Sequence, residues 1–502
     1  MREARSGNWL LVAAGALMAA AAVGMLVLIF GLDWIAVQVE RPYLIPWVLA
    51  TGVVISAPLI YLKKKGEFTI VHPIVFPVLV YFFPIFFIGG WSLVFGLSNY
   101  YYLSFVNNPE WDFPLAFLYI ILGFLGLTAG FFIPRGKKIG NYVNRWLPKW
   151  DLQPLEIIGT SVAFLVGGLY LSVIALELGQ LGYQGSESIL GETGSMSFFL
   201  ATVAPTSSFL LWIAFFKIKE WGFIRFAIIG IEILTAIFML LIAGSKSSLV
   251  GSVITFMAAM MLVEKNIPTR RFVLLGGAAF LALFFGILYG NTFRSIKGTT
   301  ERVSSDRYFE IALDSFSQIG EKDMSAQLED SFNQIAERLE IASSLAVVVS
   351  NYESLANYEQ GYGLDNNIWR YTWTAFIPRF LWKDKPTIAD NYSYNELYFG
   401  YGGYGLAITA MGDLLRNFGP VGVPLGMFLL GFLLRIFYAA LVEGVPFSAW
   451  KATLFFHVLT HINYDSFYGE ILPTAVRVGA VVLIQLLLMR LLVLLFRSKA
   501  RT

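Results

Sequence analysis

Long apolar runs separated by short polar connections extend along the whole 502-residue chain. A segment that crosses lipid must satisfy its own backbone hydrogen bonds, so each run is read as an α-helix. Three prolines in one run (Pro73, Pro77 and Pro84) predict a kinked helix there. The pattern predicts twelve spans, at 8–32, 43–62, 71–97, 114–133, 154–177, 197–216, 222–243, 247–264, 272–290, 419–442, 449–465 and 471–496.

The first apolar run begins near Asn8 and is not followed by an evident small-residue cleavage site. We therefore expect a retained helix and not a removed signal peptide.

The composition supports the same class of protein. Hydrophobic residues make up 57% of the chain and charged residues 14%, against about 25% charged residues in soluble domains. A polytopic, all-α membrane protein is predicted, and a soluble enzyme, a disordered scaffold and a nucleic-acid binder are excluded. The chain contains no cysteine and three histidines, which argues against disulfides, thiol catalysis and a metal centre. We expect no cofactor and no bound metal.

The distribution of lysine and arginine predicts the orientation, because positive flanks stay in the cytoplasm. With both termini cytoplasmic, the inner connections receive most of the positive charge. The basic residues on that side are Arg2, Arg5, Lys63, Lys64, Lys65, Arg135, Lys137, Lys138, Arg145, Lys149, Lys217, Lys219, Lys265, Arg270, Arg271, Arg497, Lys499 and Arg501.

This orientation divides the chain into helices 1–9 at 1–290, an external segment at 291–418 and helices 10–12 at 419–502. The external segment carries 11 basic and 17 acidic residues, so its net charge is −6 and that of the remaining chain is +8. Long segments of this kind tend to carry function. Leu328, Phe332, Ile335 and Leu339 have helical spacing, and 309–350 is predicted to form one or two helices over the membrane face.

Two cations fall at the expected outer surface. Lys246 occupies a tight Gly-Ser-Lys-Ser turn, where its ammonium and the neighbouring hydroxyls suit an anionic oxygen. Arg294 follows the ninth span at head-group depth. The alternatives are a lysine that extends to the interface and an ordinary interfacial arginine anchor.

A string of aromatic and basic residues at 369–386 is the most distinctive part of the external segment. Trp373 and Trp382 can stack on sugar rings, while Arg370, Arg379 and Lys385 offer cationic donors to phosphate. An aromatic belt at the membrane interface would explain the tryptophans alone.

Polar residues before and within the last spans suggest acid–base chemistry. Asp413 is a candidate base or sugar-hydroxyl acceptor; alternatively it is a helix-start charge or the partner of Arg416. His461 and Asp465 continue the i, i+4, i+8 series begun by His457, which predicts one helical face with a general-base pair. The alternative is polar contact between helices. Arg416 and Arg477 complete the cations expected at the substrate.

These motifs resemble those of the Wzy-type oligosaccharide repeat-unit polymerases. The resemblance rests on Gly-Asp and Asn-Phe-Gly within 412–419, on the Gly-Ser-Lys-Ser turn, and on the string Phe-Ile-Pro-Arg-Phe-Leu-Trp-Lys-Asp-Lys-Pro at 376–386. Two positions depart from the family pattern: Lys246 stands where arginine is frequent, and Lys383 where proline is frequent. The first departure places bidentate phosphate binding at residue 246 in doubt.

The resemblance implies a GT-C-like membrane glycosyltransferase that joins undecaprenyl-pyrophosphate-linked oligosaccharides into surface polysaccharide. It places the enzyme in the bacterial cytoplasmic membrane with its site on the outer face. It also implies a chain-length-regulating membrane protein and a flippase as partners, besides the bilayer itself.

Two further functions stay open. An O-antigen-ligase-like enzyme would transfer a finished glycan to another acceptor by similar chemistry. A transporter or flippase of lipid-linked sugars is disfavoured, because internal repeats and charges deep in several spans are lacking.

Overall fold

The structure is a computed structural model that describes residues 39–98, 100–177, 194–243, 247–264, 269–298, 303–319, 339–377, 381–382, 385, 391–401 and 408–499. Every regular element in these ranges is helical. The helices are α1 Ile45–Lys65, α2 Val75–Val94, α3 Tyr100–Leu103, α4 Pro109–Phe132, α5 Pro134–Trp146, α6 Pro154–Glu177, α7 Gly194–Lys217, α8 Phe223–Ala243, α9 Ser247–Glu264, α10 Thr269–Lys297, α11 Ser305–Ile319, α12 Ala342–Leu355, α13 Asn367–Thr374, α14 Asn391–Phe399, α15 Ala410–Leu441, α16 Ala449–Thr460 and α17 Tyr468–Lys499.

The predicted spans agree closely with the helices. The span at 8–32 lies outside the described residues, and a helix occupies each of the other eleven positions. Within the described ranges, seven helices are long and apolar enough to cross a membrane: α1, α2, α4, α6, α8, α15 and α17. The chain is therefore a polytopic, all-α membrane protein.

The proline-rich helix α2 departs from regular α-helical geometry. Its central stretch, Val78–Ile88, is a π-helix that contains Pro84. Since proline has no N–H to donate to the helix ladder, a local change of hydrogen bonding is the expected consequence. The irregular helix predicted from the prolines is thus observed as a π-helical stretch.

Helices α4 and α15 pack closely because glycines face each other along their contact. A Cβ atom added at Gly130 would lie 2.0 Å from the Phe428 carbonyl oxygen, and one added at Gly431 would lie 2.0 Å from that of Leu127. Small residues at such positions let two helix backbones approach in a membrane, where helix association depends on close packing. This pair forms the centre of the bundle.

Helix α15 is two helices joined by a sharp turn. Gly419, with φ 68° and ψ −168°, interrupts it, so we call residues 410–418 α15a and residues 420–441 α15b. The side chains of Met411 and Met427 both lie beside Gly123, and that of Leu414 packs on Gly426. Helix α15a therefore folds back along α15b inside the bundle.

Part of the segment at 291–418 also packs into the bundle. All residues from Ala342 to Val349 in α12 are buried, and a Cβ atom at Gly89 would lie 2.1 Å from the Leu339 carbonyl oxygen. The first two turns of α12, within the predicted helical stretch 309–350, therefore pack against α4 and α15. The predicted helical spacing from Leu328 lies mostly outside the described residues.

Candidate functional site

The site is built on α15a, which starts from a strained residue. Thr409 has φ 68°, a region that β-branched residues rarely adopt. Its hydroxyl accepts a hydrogen bond from the Gly412 amide at 3.0 Å and thus caps the helix. Asn366, directly before α13, also has a positive φ of 48°. Both residues flank the same polar network, and strain of this kind concentrates at functional sites.

Arg416 is the centre of that network. One of its terminal nitrogens donates to Glu359 Oε2 at 2.8 Å and to the Leu364 carbonyl at 2.7 Å. The other donates to Asn367 Oδ1 at 2.8 Å and to Asp413 Oδ1 at 2.7 Å. Because the side chains of Arg416 and Asp413 are 0% exposed, these are charge-assisted bonds shielded from solvent. The guanidinium therefore joins residues 359–367 to α15a.

Asp413 receives further donors from two other elements. The Gly469 amide at the start of α17 donates to Asp413 Oδ2 at 3.0 Å, and the Asn417 amide nitrogen donates to Oδ1 at 3.1 Å. Asn367 Nδ2 lies 3.2 Å from Oδ1. These bonds favour the structural alternative for Asp413, in which the carboxylate is the partner of Arg416, over a freely accessible base.

The carboxyl of Glu359 lies between Arg416 and Tyr398. Tyr398 donates its hydroxyl hydrogen to Glu359 Oε1 at 2.8 Å. Burial raises the pKa of Glu359, although the Arg416 guanidinium opposes this shift. Burial likewise raises the pKa of Tyr398, so its hydroxyl keeps the hydrogen that it donates.

An aromatic and basic surface extends outward from this network on α13 and the chain that follows. Trp373 and Trp382 stack with ring centroids 5.6 Å apart, and Trp369 is 70% exposed. Arg370 pairs with Asp365 at 2.9 Å, and Lys385 Nζ donates to the Ile377 carbonyl at 2.9 Å. The predicted tryptophans and two of the predicted cations thus lie in one stretch of chain, with both cations bonded to protein groups.

His461 has a different environment from the one predicted. Helix α16 ends at Thr460, so His457, His461 and Asp465 do not form one continuous helical face, and that prediction is wrong. The chain turns after His461 because the backbone leaves helical geometry there. His461 Nδ1 lies 2.7 Å from the His457 carbonyl oxygen, which can only accept, so Nδ1 is the donor in this contact.

The remaining predicted cations are divided between described and undescribed residues. Arg294 lies in the last turn of α10, and Arg477 lies within α17. Lys246 and Arg379 lie outside the described residues.

Four members of the network are not predicted by the sequence pattern: Glu359, Asn367, Tyr398 and Asn417. One signal was available for the last of these: Asp413, Arg416 and Asn417 have i, i+3, i+4 spacing and precede a Gly-Pro break. Such spacing places polar side chains on one helix face. Glu359 and Tyr398 gave no comparable signal, because their contacts span long sequence separations.

The fold and the site define a class: a multi-pass, all-helical membrane protein in which a buried ionic network supports an aromatic and basic surface. The chain belongs to the family of O-antigen polysaccharide polymerases, Wzy, whose model matches residues 21–494. This confirms the resemblance drawn from the motifs. The family acts on lipid-linked oligosaccharide repeat units in a membrane. Comparisons with curated proteins and with solved structures found no match.

Proposed function

We propose that the protein polymerises undecaprenyl-pyrophosphate-linked repeat units at the outer face of the bacterial cytoplasmic membrane. The observation that carries this proposal is the Arg416 network, which fixes α13 to the starts of α15 and α17. A rigid support of this kind suits a surface that must position two large lipid-linked sugars. Family membership supports the reaction class.

In the proposed reaction, a sugar hydroxyl of the incoming unit attacks the anomeric carbon of the growing chain. A carbon–oxygen bond forms, the bond to the pyrophosphate breaks, and the lipid pyrophosphate leaves with the electron pair. His461 Nε2 accepts the hydroxyl proton. The cations that we assign to the pyrophosphate are Lys246, Arg294, Arg370, Arg379, Lys385 and Arg477.

Arg416 and Asp413 take an indirect part in this proposal. Their side chains are 0% exposed and their charged atoms bond to protein groups. We therefore assign them to holding Asn367 and α13 in place, while Trp373 and Trp382 contact the sugars. Asp465 stays a candidate partner of His461 through the loop that connects α16 to α17.

We also propose the complete topology of twelve spans with both termini cytoplasmic and a GT-C-like arrangement. The separation of charges supports it: Lys65, Lys217 and Arg497 lie at helix ends, whereas the external segment is acidic. A flippase that delivers the units and a chain-length-regulating membrane protein are the expected partners.

The test is polymerisation by the purified, reconstituted protein with lipid-linked repeat units. A ladder of products supports a polymerase, a single transfer to another acceptor supports a ligase, and movement of intact lipid-linked sugar across the bilayer supports a transporter. Arg294→Ala and Arg379→Ala should abolish chain extension without loss of folded protein. Arg307→Ala is the matched control, since Arg307 belongs to the same segment but forms an exposed pair with Glu310.

His461→Ala should also abolish extension if Nε2 is the base. A His461→Ala protein that still makes polymer of normal length would remove His461 from the mechanism. It would also redirect the search for the base to Asp465.

A further inference from the structure

Helix α5, Pro134–Trp146, carries an exposed surface that the proposed reaction does not use. The sequence alone predicts a basic connection in this stretch. In the structure it is a helix of 13 residues that packs on α15b through Gly136 and Gly140. A Cβ atom at Gly140 would lie 2.5 Å from the Ile436 carbonyl oxygen, so this face is fully occupied.

A second face of α5 is apolar and uncovered. Ile139, Tyr142, Val143 and Trp146 are exposed, and Trp146 is 75% exposed. Their spacing of three and four residues places them on one side of the helix. Large exposed apolar surfaces of this kind mark contact with a membrane or with another protein.

A basic face borders the apolar one. Lys138 and Arg145 are exposed on this face, and Arg135 is exposed in the first turn, at the N-terminal end of the apolar face; Lys137 pairs with Glu443 at 3.0 Å. The helix thus shows three sides: one packed on α15b, one apolar and one cationic. This is the arrangement of helices that lie at a bilayer surface, with apolar side chains among the acyl chains and cations at the head groups.

The position of α5 along the bundle agrees with a place at the bilayer surface. Helix α4 ends at Phe132, whose ring contacts that of Tyr61 at 5.4 Å, one turn before Lys65 at the end of α1. Helix α5 starts two residues later, and Gly136 contacts the Arg435 side chain. Charged residues therefore begin at the same depth on α1, α5 and α15b, which marks the boundary of the apolar layer.

We propose that the apolar and basic faces of α5 form a docking surface for anionic lipid head groups of the surrounding bilayer. Charge complementarity selects this occupant, because a second copy of the chain would bring the same cations against each other. The lipid surface would hold the ends of α4 and α15b, and so the central helix pair, at a defined depth.

The absence of cysteine allows a direct test in the full-length protein. Nitroxide labels at Ile139→Cys and, as a matched control, at Asn141→Cys report opposite sides of α5. In vesicles containing phosphatidylglycerol, we expect the label at 139 to be reached by oxygen, which dissolves in lipid, more than by a water-soluble nickel chelate. The label at 141 should show the reverse order.

The dependence on head-group charge completes the test. Replacing phosphatidylglycerol by phosphatidylcholine, or combining Arg135→Gln, Lys138→Gln and Arg145→Gln, should increase nickel access at 139 by about twofold or more. Equal nickel access at 139 and 141 would overturn the proposal. Protection of the label at 139 from both reagents would indicate a protein partner and would also overturn the proposal. Nickel access at 139 that does not change with lipid charge would overturn it as well.

Discussion

At the scale of single residues, Arg416, which the sequence predicts at the substrate, has a buried side chain that bonds to protein groups. Arg416 and Asp413 are 0% exposed, and Glu359 completes an ionic triad with them. A buried ion pair contributes little net stability, but removing one partner leaves an uncompensated charge in an apolar interior. The effect of substitution therefore depends on which member is removed.

Arg416→Leu should strongly destabilise the protein, by about 3–5 kcal/mol, because two carboxylates then lose their cation. Unfolding in mixed detergent and SDS micelles measures the change. Arg307→Leu is the control, since its exposed pair with Glu310 should contribute less than about 1 kcal/mol. Equal stability of Arg416→Leu and the natural protein would contradict the network.

Glu359 should make the stability of the folded protein depend on pH, in a direction that follows from its pKa. Because burial raises the pKa of its carboxyl, the folded protein binds this proton more tightly than the unfolded chain does. This contribution to stability is present at low pH and is lost as the pH rises through the raised pKa.

Glu359→Gln removes that titration while keeping an acceptor for Tyr398. Melting temperatures measured across the acidic range should fall more steeply with pH in the natural protein than in the variant. Parallel pH profiles would show that Glu359 is not the group responsible.

At the scale of elements, the turn at Gly419 creates the site. Its φ of 68° with ψ of −168° lies in a region open essentially to glycine alone. The turn allows α15a to fold back on α15b, and this return places Asp413 and Arg416 inside the bundle instead of extending them beyond it.

Gly419→Ala should lower the free energy of unfolding by about 1–3 kcal/mol and reduce polymerisation, because the added Cβ opposes that backbone conformation. Gly230→Ala is the control: Gly230 lies in α8 with open space around it, so the substitution should be neutral or slightly stabilising. Similar losses in both variants would argue against a special role for the turn.

At the scale of the whole molecule, the segment at 291–418 is acidic and the remaining chain is basic. Lys65, Arg135 and Lys217 lie at helix ends or just beyond them. The acidic segment that carries Glu359 connects α10 to α15. This separation favours insertion with the basic end in the cytoplasm.

Single cysteines at two exposed residues test the orientation, since the natural chain has none. Tyr358→Cys should react with a membrane-impermeant maleimide in intact spheroplasts, because Tyr358 is 63% exposed in the external segment. Lys138→Cys should react only after the membrane is opened. Reaction in the opposite order would place the proposed site in the cytoplasm.

The sequence determined the class of the protein and the positions of its helices. Apolar runs of about 20 residues have few alternatives in lipid, so helices are found at the eleven predicted spans that the structure describes. The motifs around 376–386 and 412–419 also indicated the family correctly.

Only the tertiary structure decided how the polar residues are used. Arg416 bonds to Glu359, which is 57 residues away in the sequence, and to Asn367, which is 49 residues away. The local spacing of residues along a helix cannot predict such distant contacts. The end of α16 at Thr460 likewise separates Asp465 from the helical face of His457. Helix formation in a membrane follows from local hydrogen bonding, whereas ionic partners are set by how residues 359–367 and α15a fold together in the bundle.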